Sequence, residues 1–97
     1  MLEATMTKVG VQPEGGDTVL YVKFERFGDE VGVRAPFDWS IIDRQAFLAD
    51  LKEQVAKAFD IPTYYVDIDE HKLWQRMESW THKFRRLKLV YTSEDLH

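Results

Sequence analysis

The stretch TVLYVKFERFGDEVGVRAPF, residues 18–37, decides the fold. Its first half alternates, with Leu20, Val22 and Phe24 on one side and Tyr21, Lys23 and Glu25 on the other. That is the period of a strand with one face in a core and one in water. FGDEV then supplies a short turn containing a glycine. VGVRAPF resumes the alternation, with Val31, Val33, Ala35 and Phe37 on one side and Arg34 opposite. Two half-buried strands across a short turn predict a β-hairpin.

Downstream the period lengthens. In IIDRQAFLADLKEQVAKAFD, residues 41–60, the apolar positions Phe47, Leu48, Leu51, Val55, Ala58 and Phe59 fall on one helical stripe, with Asp50, Lys52, Glu53 and Lys57 turned outward. Ser40 or Asp43 can accept bonds from the free amides of the first turn, and Pro62 stops the helix beyond Ile61. YYVDIDEHKLW, residues 64–74, reads as a strand in its first half. A helical period through Leu73, Trp74, Met77, Trp80 and Phe84 predicts a short second helix from about Lys72 to Phe84. RRLKLVYT, with Leu87, Leu89 and Tyr91 on one face, predicts a closing strand. Upstream of Thr18 no period is visible, and QPEGGD is turn chemistry, so residues 1–17 are expected to be a flexible lead-in. Residues 18–91 then form one domain and residues 92–97 a polar tail. The order of hairpin, helix, strand, short helix and strand predicts an α+β domain of the ubiquitin-like β-grasp plan, its main helix packed on a small mixed sheet.

Composition narrows the function classes. Ninety-seven residues suit a single domain. With 44% hydrophobic and 31% charged residues, and no apolar run near the roughly 20 needed to cross a bilayer, no membrane association is expected. MLEATMTKVG lacks the basic-then-hydrophobic pattern of a secretory signal. The absence of cysteine excludes disulfides, thiolate zinc sites and thiol nucleophiles, and fits a reducing, cytoplasmic setting. The formal charge of -4 is unevenly spread. Residues 71–88 carry six basic residues against the one acid Glu78, a net +5 that leaves -9 for the remainder. Segregated charge of both signs suits docking to a protein partner or to another copy of the chain.

The polar constellations support no catalytic reading. Were residues 64–73 extended, Asp67, Asp69 and His71 would stand in a row on the solvent side. Same-face residues on a strand lie roughly 6–7 Å apart, whereas metal ligands converge to about 2 Å from the ion, so no metal and no cofactor is expected there. Glu78 and His82 are four apart on the second helix, a spacing that commonly gives an exposed ion pair. Ser40, Ser79 and Ser93 lie in no nucleophile motif, and the glycines form neither a phosphate loop nor a dinucleotide fingerprint. THKFRRLKL sets Lys83, Arg85, Arg86 and Lys88 near Trp80 and Phe84, the raw material of a nucleic-acid surface. The acidic remainder of the chain opposes a polyanion, so nucleic acid is a further alternative only. Trp39, in PFDWS, is claimed by no apolar period and is a candidate interface anchor.

From about Thr18 to Tyr91 the chain resembles the PB1 domain, a β-grasp module that pairs head to tail with other PB1 domains. YVKF places Lys23 where the basic type carries its first-strand lysine. AFLADLKEQVAKAFDIP looks like the family's helix. YVDIDEHKL puts Asp67 and Asp69 where the acidic type carries the first carboxylates of its acidic motif. Glu70 and His71 stand where that family usually has a glycine and a further acid. The resemblance implies electrostatic docking, with Lys23 and Arg34 meeting a partner's acids while Asp67, Asp69 and Glu70 receive a partner's lysine. The chain is therefore expected to be a non-enzymatic protein-interaction domain with Lys23, Arg34, Trp39, Asp67, Asp69 and Glu70 in its docking surfaces, self-association being one option. The alternative is a small acidic inhibitor or accessory protein of phage or plasmid type that blocks a basic site on a larger complex.

Overall fold

The computed structural model describes residues 3–36 and 43–95, and side chains as far as Lys83, Asp17 excepted. Three strands run in sequence as an antiparallel meander: β1 (Ala4–Glu14), β2 (Asp17–Arg26) and β3 (Asp29–Ala35). Helix α1 (Arg44–Phe59) follows, then a single 3-10 turn (Thr63–Tyr65), a two-residue strand β4 (Val66–Asp67) and a long helix α2 (Glu70–Asp95). The sheet order is β3-β2-β1-β4, with β4 parallel to β1. The class is α+β with a mixed four-stranded sheet, and the hairpin followed by a helix is the β-grasp-like order the sequence predicts.

The hairpin registers as its alternation requires. Three rows cross the inner face: Val31, Phe24 and Met6; Val33, Val22 and Val9; Ala35, Leu20 and Val11. All nine belong to or pack against the core, where Leu48, Leu51 and Val55 of α1 and Leu73 and Met77 of α2 complete the burial. Fully burying side chains such as Phe24 and Leu20 stabilises by roughly 1.5–3 kcal/mol each. Asp43 caps α1, its carboxylate accepting the Gln45 amide at 3.0 Å. Asp60, in the left-handed region, closes the helix through bonds from its own amide to the Lys57 carbonyl and from the Ile61 amide to the Ala56 carbonyl. Ala56 is buried on this helix and Ala58 is exposed, the reverse of the expected stripe at that turn.

Four expectations are corrected. Part of the lead-in, residues 1–17, is a sheet strand, β1, next to both β2 and β4. A bulge at Thr7, between the Met6 and Lys8 pairings, explains why no period shows: Ala4 and Met6 point inward before it and Val9 and Val11 after it, so the alternation changes phase. The strand expected in the first half of residues 64–74 shrinks to Val66–Asp67, because Asp69 starts a helix. The closing strand and the short second helix merge into α2, whose 26 residues span about 39 Å. Residues 92–95 of the expected polar tail belong to the same helix.

Beyond Asp67 there is no strand beside β1 among the described residues. There the indole nitrogen of Trp80, on α2, donates to the Val9 carbonyl at 2.8 Å. A helix side chain thus satisfies a backbone acceptor along that side of the sheet, a bond worth about 1 kcal/mol. Thr81, buried on the same helix, turns its hydroxyl to the Met77 carbonyl at 2.8 Å.

Candidate protein-docking surface

Both helices contribute to the inner core, and the residues that alternate with it make an outer face. Its rows follow from the strand register. Gly10, Tyr21 and Arg34 form one, Lys8, Lys23 and Gly32 the next, and Thr5, Glu25 and Glu30 the last. Asp67 joins the last row through its pairing with Thr5. Strands set about 4.8 Å apart bring these charges within mutual reach.

The two sequence-predicted cations therefore share one face. Lys23 sits on β2, the second strand of the sheet, with its ammonium 3.4 Å from Glu30. The Arg34 guanidinium lies 3.5 Å from Glu14, and the Tyr21 phenol donates to the same carboxylate. That hydrogen bond is the main cause that raises the Tyr21 pKa above its ordinary value, with burial and the carboxylate's charge adding to it and Gln12 and Arg34 opposing. Exposed pairs of this kind contribute little to stability, so their members stay available to a partner. Lys8, Glu25 and Asp67 are exposed and have no ion pair among the described residues.

Asp67, Asp69 and His71 do not form a row. Asp67 lies on β4, while Asp69 accepts the Lys72 amide at 3.1 Å as the cap of α2. Glu70 occupies the first helical turn, where its charge favours the helix dipole, and His71 follows it. Asp69 and Glu70 thus have local work to do, whatever they offer a partner. Among the described residues no three histidines, aspartates or glutamates are grouped to hold a metal ion. No helix there is long and apolar enough to cross a membrane.

The basic segment lies on α2, on helical instead of extended backbone. Lys83 stacks its ammonium over the Trp80 ring at 4.8 Å, and the indole edge is hydrogen-bonded to β1, so this ring is not presented as a free stacking platform. Trp74 is half buried against Phe47 with the Arg44 guanidinium 5.2 Å from its ring centre. Trp39 lies outside the described residues, as do the side chains of Arg85, Arg86 and Lys88.

One feature escaped the sequence reading. Phe27 and Gly28 are the two central residues of the β2–β3 turn, with φ of 53° and 81°. A two-residue hairpin turn of type I′ requires both to be positive, and asparagine, aspartate or glycine normally fills the first place. The other hairpin obeys that rule with Gly15 and Gly16. Phe27 breaks it and stays 65% exposed, its ring lying 4.8 Å from the Arg26 guanidinium. The signal was present in the dipeptide: a phenylalanine before glycine in a turn only two residues long. Tyr64, 76% exposed and in tilted ring contact with Tyr65, precedes β4 at the same end of the sheet. Comparison of the chain with protein-family models, with curated proteins and with solved structures gives no match.

Proposed function

We propose that the chain is a non-enzymatic protein-interaction domain that docks through the charged outer face of its sheet. The observation that carries the reading is the last outer row. Asp67 and Glu25 flank Thr5, Glu30 lies next to Glu25, and just beyond them the strained turn holds out Phe27. Carboxylates in line with an exposed ring suit a basic segment of a partner protein, since the acids receive lysine or arginine and the ring adds apolar and cation–π contact. Backbone strain at an exposed aromatic has no packing benefit to offset it, which supports a binding role.

PB1-like head-to-tail pairing is one form of this docking, with Lys23 as the cation offered to a partner's acids. Its placement on the second strand, beside its own Glu30, makes the acidic end the better-supported half. The same acidic, aromatic end would serve an inhibitor that blocks a basic site on a larger complex.

The reading is tested by titrating lysine- and arginine-rich peptides into labelled protein and following amide shifts, for the wild type and a Glu25→Lys, Asp67→Lys variant. Shifts centred on Thr5, Glu25, Phe27 and Asp67 that weaken with salt and vanish in the variant are expected. Preference for acidic peptides, or basic-peptide binding unaffected by the variant, would sink it.

A further inference from the structure

The two sides of the sheet are treated differently. Beside β1, β4 pairs with Ala4 and Thr5 and the Trp80 indole takes the Val9 carbonyl. At the other side, β3 has β2 as its only strand neighbour among the described residues, so seven residues, about 23 Å of backbone, end the sheet. Natural sheets usually blunt such an edge with proline, charged side chains (lysine above all), a bulge or a covering segment. Asp29–Ala35 contains no proline or lysine, its pairing with β2 runs without a register shift, and its charges, Asp29, Glu30 and Arg34, are of both signs.

We propose that this edge pairs with the β3 of a second copy, antiparallel about a twofold axis at Gly32, joining two four-stranded sheets into one of eight strands. The sequence of the strand selects this register. In an antiparallel pair, facing residues point to the same side of the sheet, so positions of like parity must meet to keep both cores on one side. Centring on Gly32, the middle residue of the strand, pairs all seven residues. Glu30 then faces Arg34 of the other copy, twice by symmetry, on the outer side. Val31 faces Val33 on the inner side, and Gly32 faces itself. The neighbouring registers of the right parity lose this match: centring on Val31 sets Glu30 against Gly32, and centring on Val33 sets Arg34 against Gly32. EVGVR, residues 30–34, is thus self-complementary in charge and in apolar pattern about its own centre, the condition for a closed twofold contact, while at each end Asp29 faces Ala35. Glu30 and Arg34 are 54% and 65% exposed, and their partners within the chain, Lys23 and Glu14, sit on the same outer face. They can therefore enter the new pairs without leaving charge stranded.

The contact shares Glu30 with the acidic row of the docking reading but does not use Glu25, Asp67 or Phe27, and because sedimentation reads self-association with no basic partner present, the two readings fail independently. The experiment is sedimentation of the wild type, Glu30→Arg, Arg34→Glu, the double variant, and an equimolar mixture of the two single variants. The wild type is expected to approach twice the 11.5 kDa chain mass as concentration rises. Each single variant sets like charges opposite each other and is expected to stay at the chain mass. The double variant restores opposite charges. So does the mixture, because the chain carrying two arginines faces the chain carrying two glutamates, and a mixed dimer is expected to form. A wild type at chain mass up to about 1 mM overturns the proposal, as does a dimer that survives both single substitutions or a mixture that stays monomeric. Should a single variant fail to fold, amide exchange of the wild type decides. Protection of the β3 amides that rises with concentration supports the pairing, and protection independent of concentration refutes it.

Discussion

Replacing Phe27 with asparagine is expected to make the domain more stable while weakening its docking. A non-glycine residue in the left-handed region costs roughly 1–2 kcal/mol, and asparagine escapes most of that through local hydrogen bonding. Against this stands the loss of the Arg26 contact over the ring, about 0.5 kcal/mol at an exposed site. The ring is 65% exposed, so little further burial is lost. The net gain is about 0.5–1 kcal/mol. In a domain of this size that raises Tm by roughly 2–8 °C. Thermal unfolding by circular dichroism would measure it, with Phe27→Ala as control. Alanine removes the ring yet keeps a Cβ in the left-handed turn, so it gains nothing. Equal melting of the two variants, or a loss above about 1 kcal/mol in the asparagine variant, would mean that the ring is structural and the strain argument wrong. Affinity for a basic peptide should fall in both variants, since both lose the exposed ring.

Two further expectations concern Asp69 and Tyr21. Asp69→Ala removes the cap of α2 and should cost about 1 kcal/mol, seen as a Tm lower by roughly 4–8 °C, while leaving peptide binding at Glu25 and Asp67 unchanged. Tyr21 should ionise later than an ordinary tyrosine in an alkaline absorbance titration, and Glu14→Gln should bring it back toward the ordinary value. Because its folded-state pKa is raised, the stabilising contribution is complete below the unfolded-state pKa and is lost as pH rises through the folded-state pKa. An unshifted Tyr21 would argue against the phenol–carboxylate hydrogen bond.

The site was legible in parts. Lys23 and Arg34 were placed on a solvent face by alternation, and β2 and β3 put them there, because a strand fixes the side of each residue once its neighbours are known. Asp67 was likewise assigned to the outer side. The β-branched and aromatic residues that lead into Asp69 favour a strand, yet an aspartate at that position also caps a helix. Periodicity could not separate the two outcomes for RRLKLVYT either. Leu87, Leu89 and Tyr91 alternate, but Leu73, Met77, Trp80, Phe84, Leu87 and Tyr91 also continue the helical spacing of four and three. α2 follows the second pattern, carried on from the anchors Leu73 and Met77 in the core.

Local sequence alone thus determined the hairpin, the first helix, and the sidedness of the charges on β2 and β3, since each depends on periodicity and on bonds within a few residues. The cap that it left between Ser40 and Asp43 is seen to be Asp43 only in the structure. Tertiary structure decided the rest. The bulge at Thr7 hides the period of β1, so only pairing with β2 on one side and β4 on the other identifies it as a strand. It also decided which charges share a row, because lateral order in a sheet comes from long-range pairing that no local pattern encodes. The two sides of the sheet differ for the same reason: the Trp80 bond that satisfies β1 joins residues 71 positions apart in the chain, and β3 has no described strand beyond it.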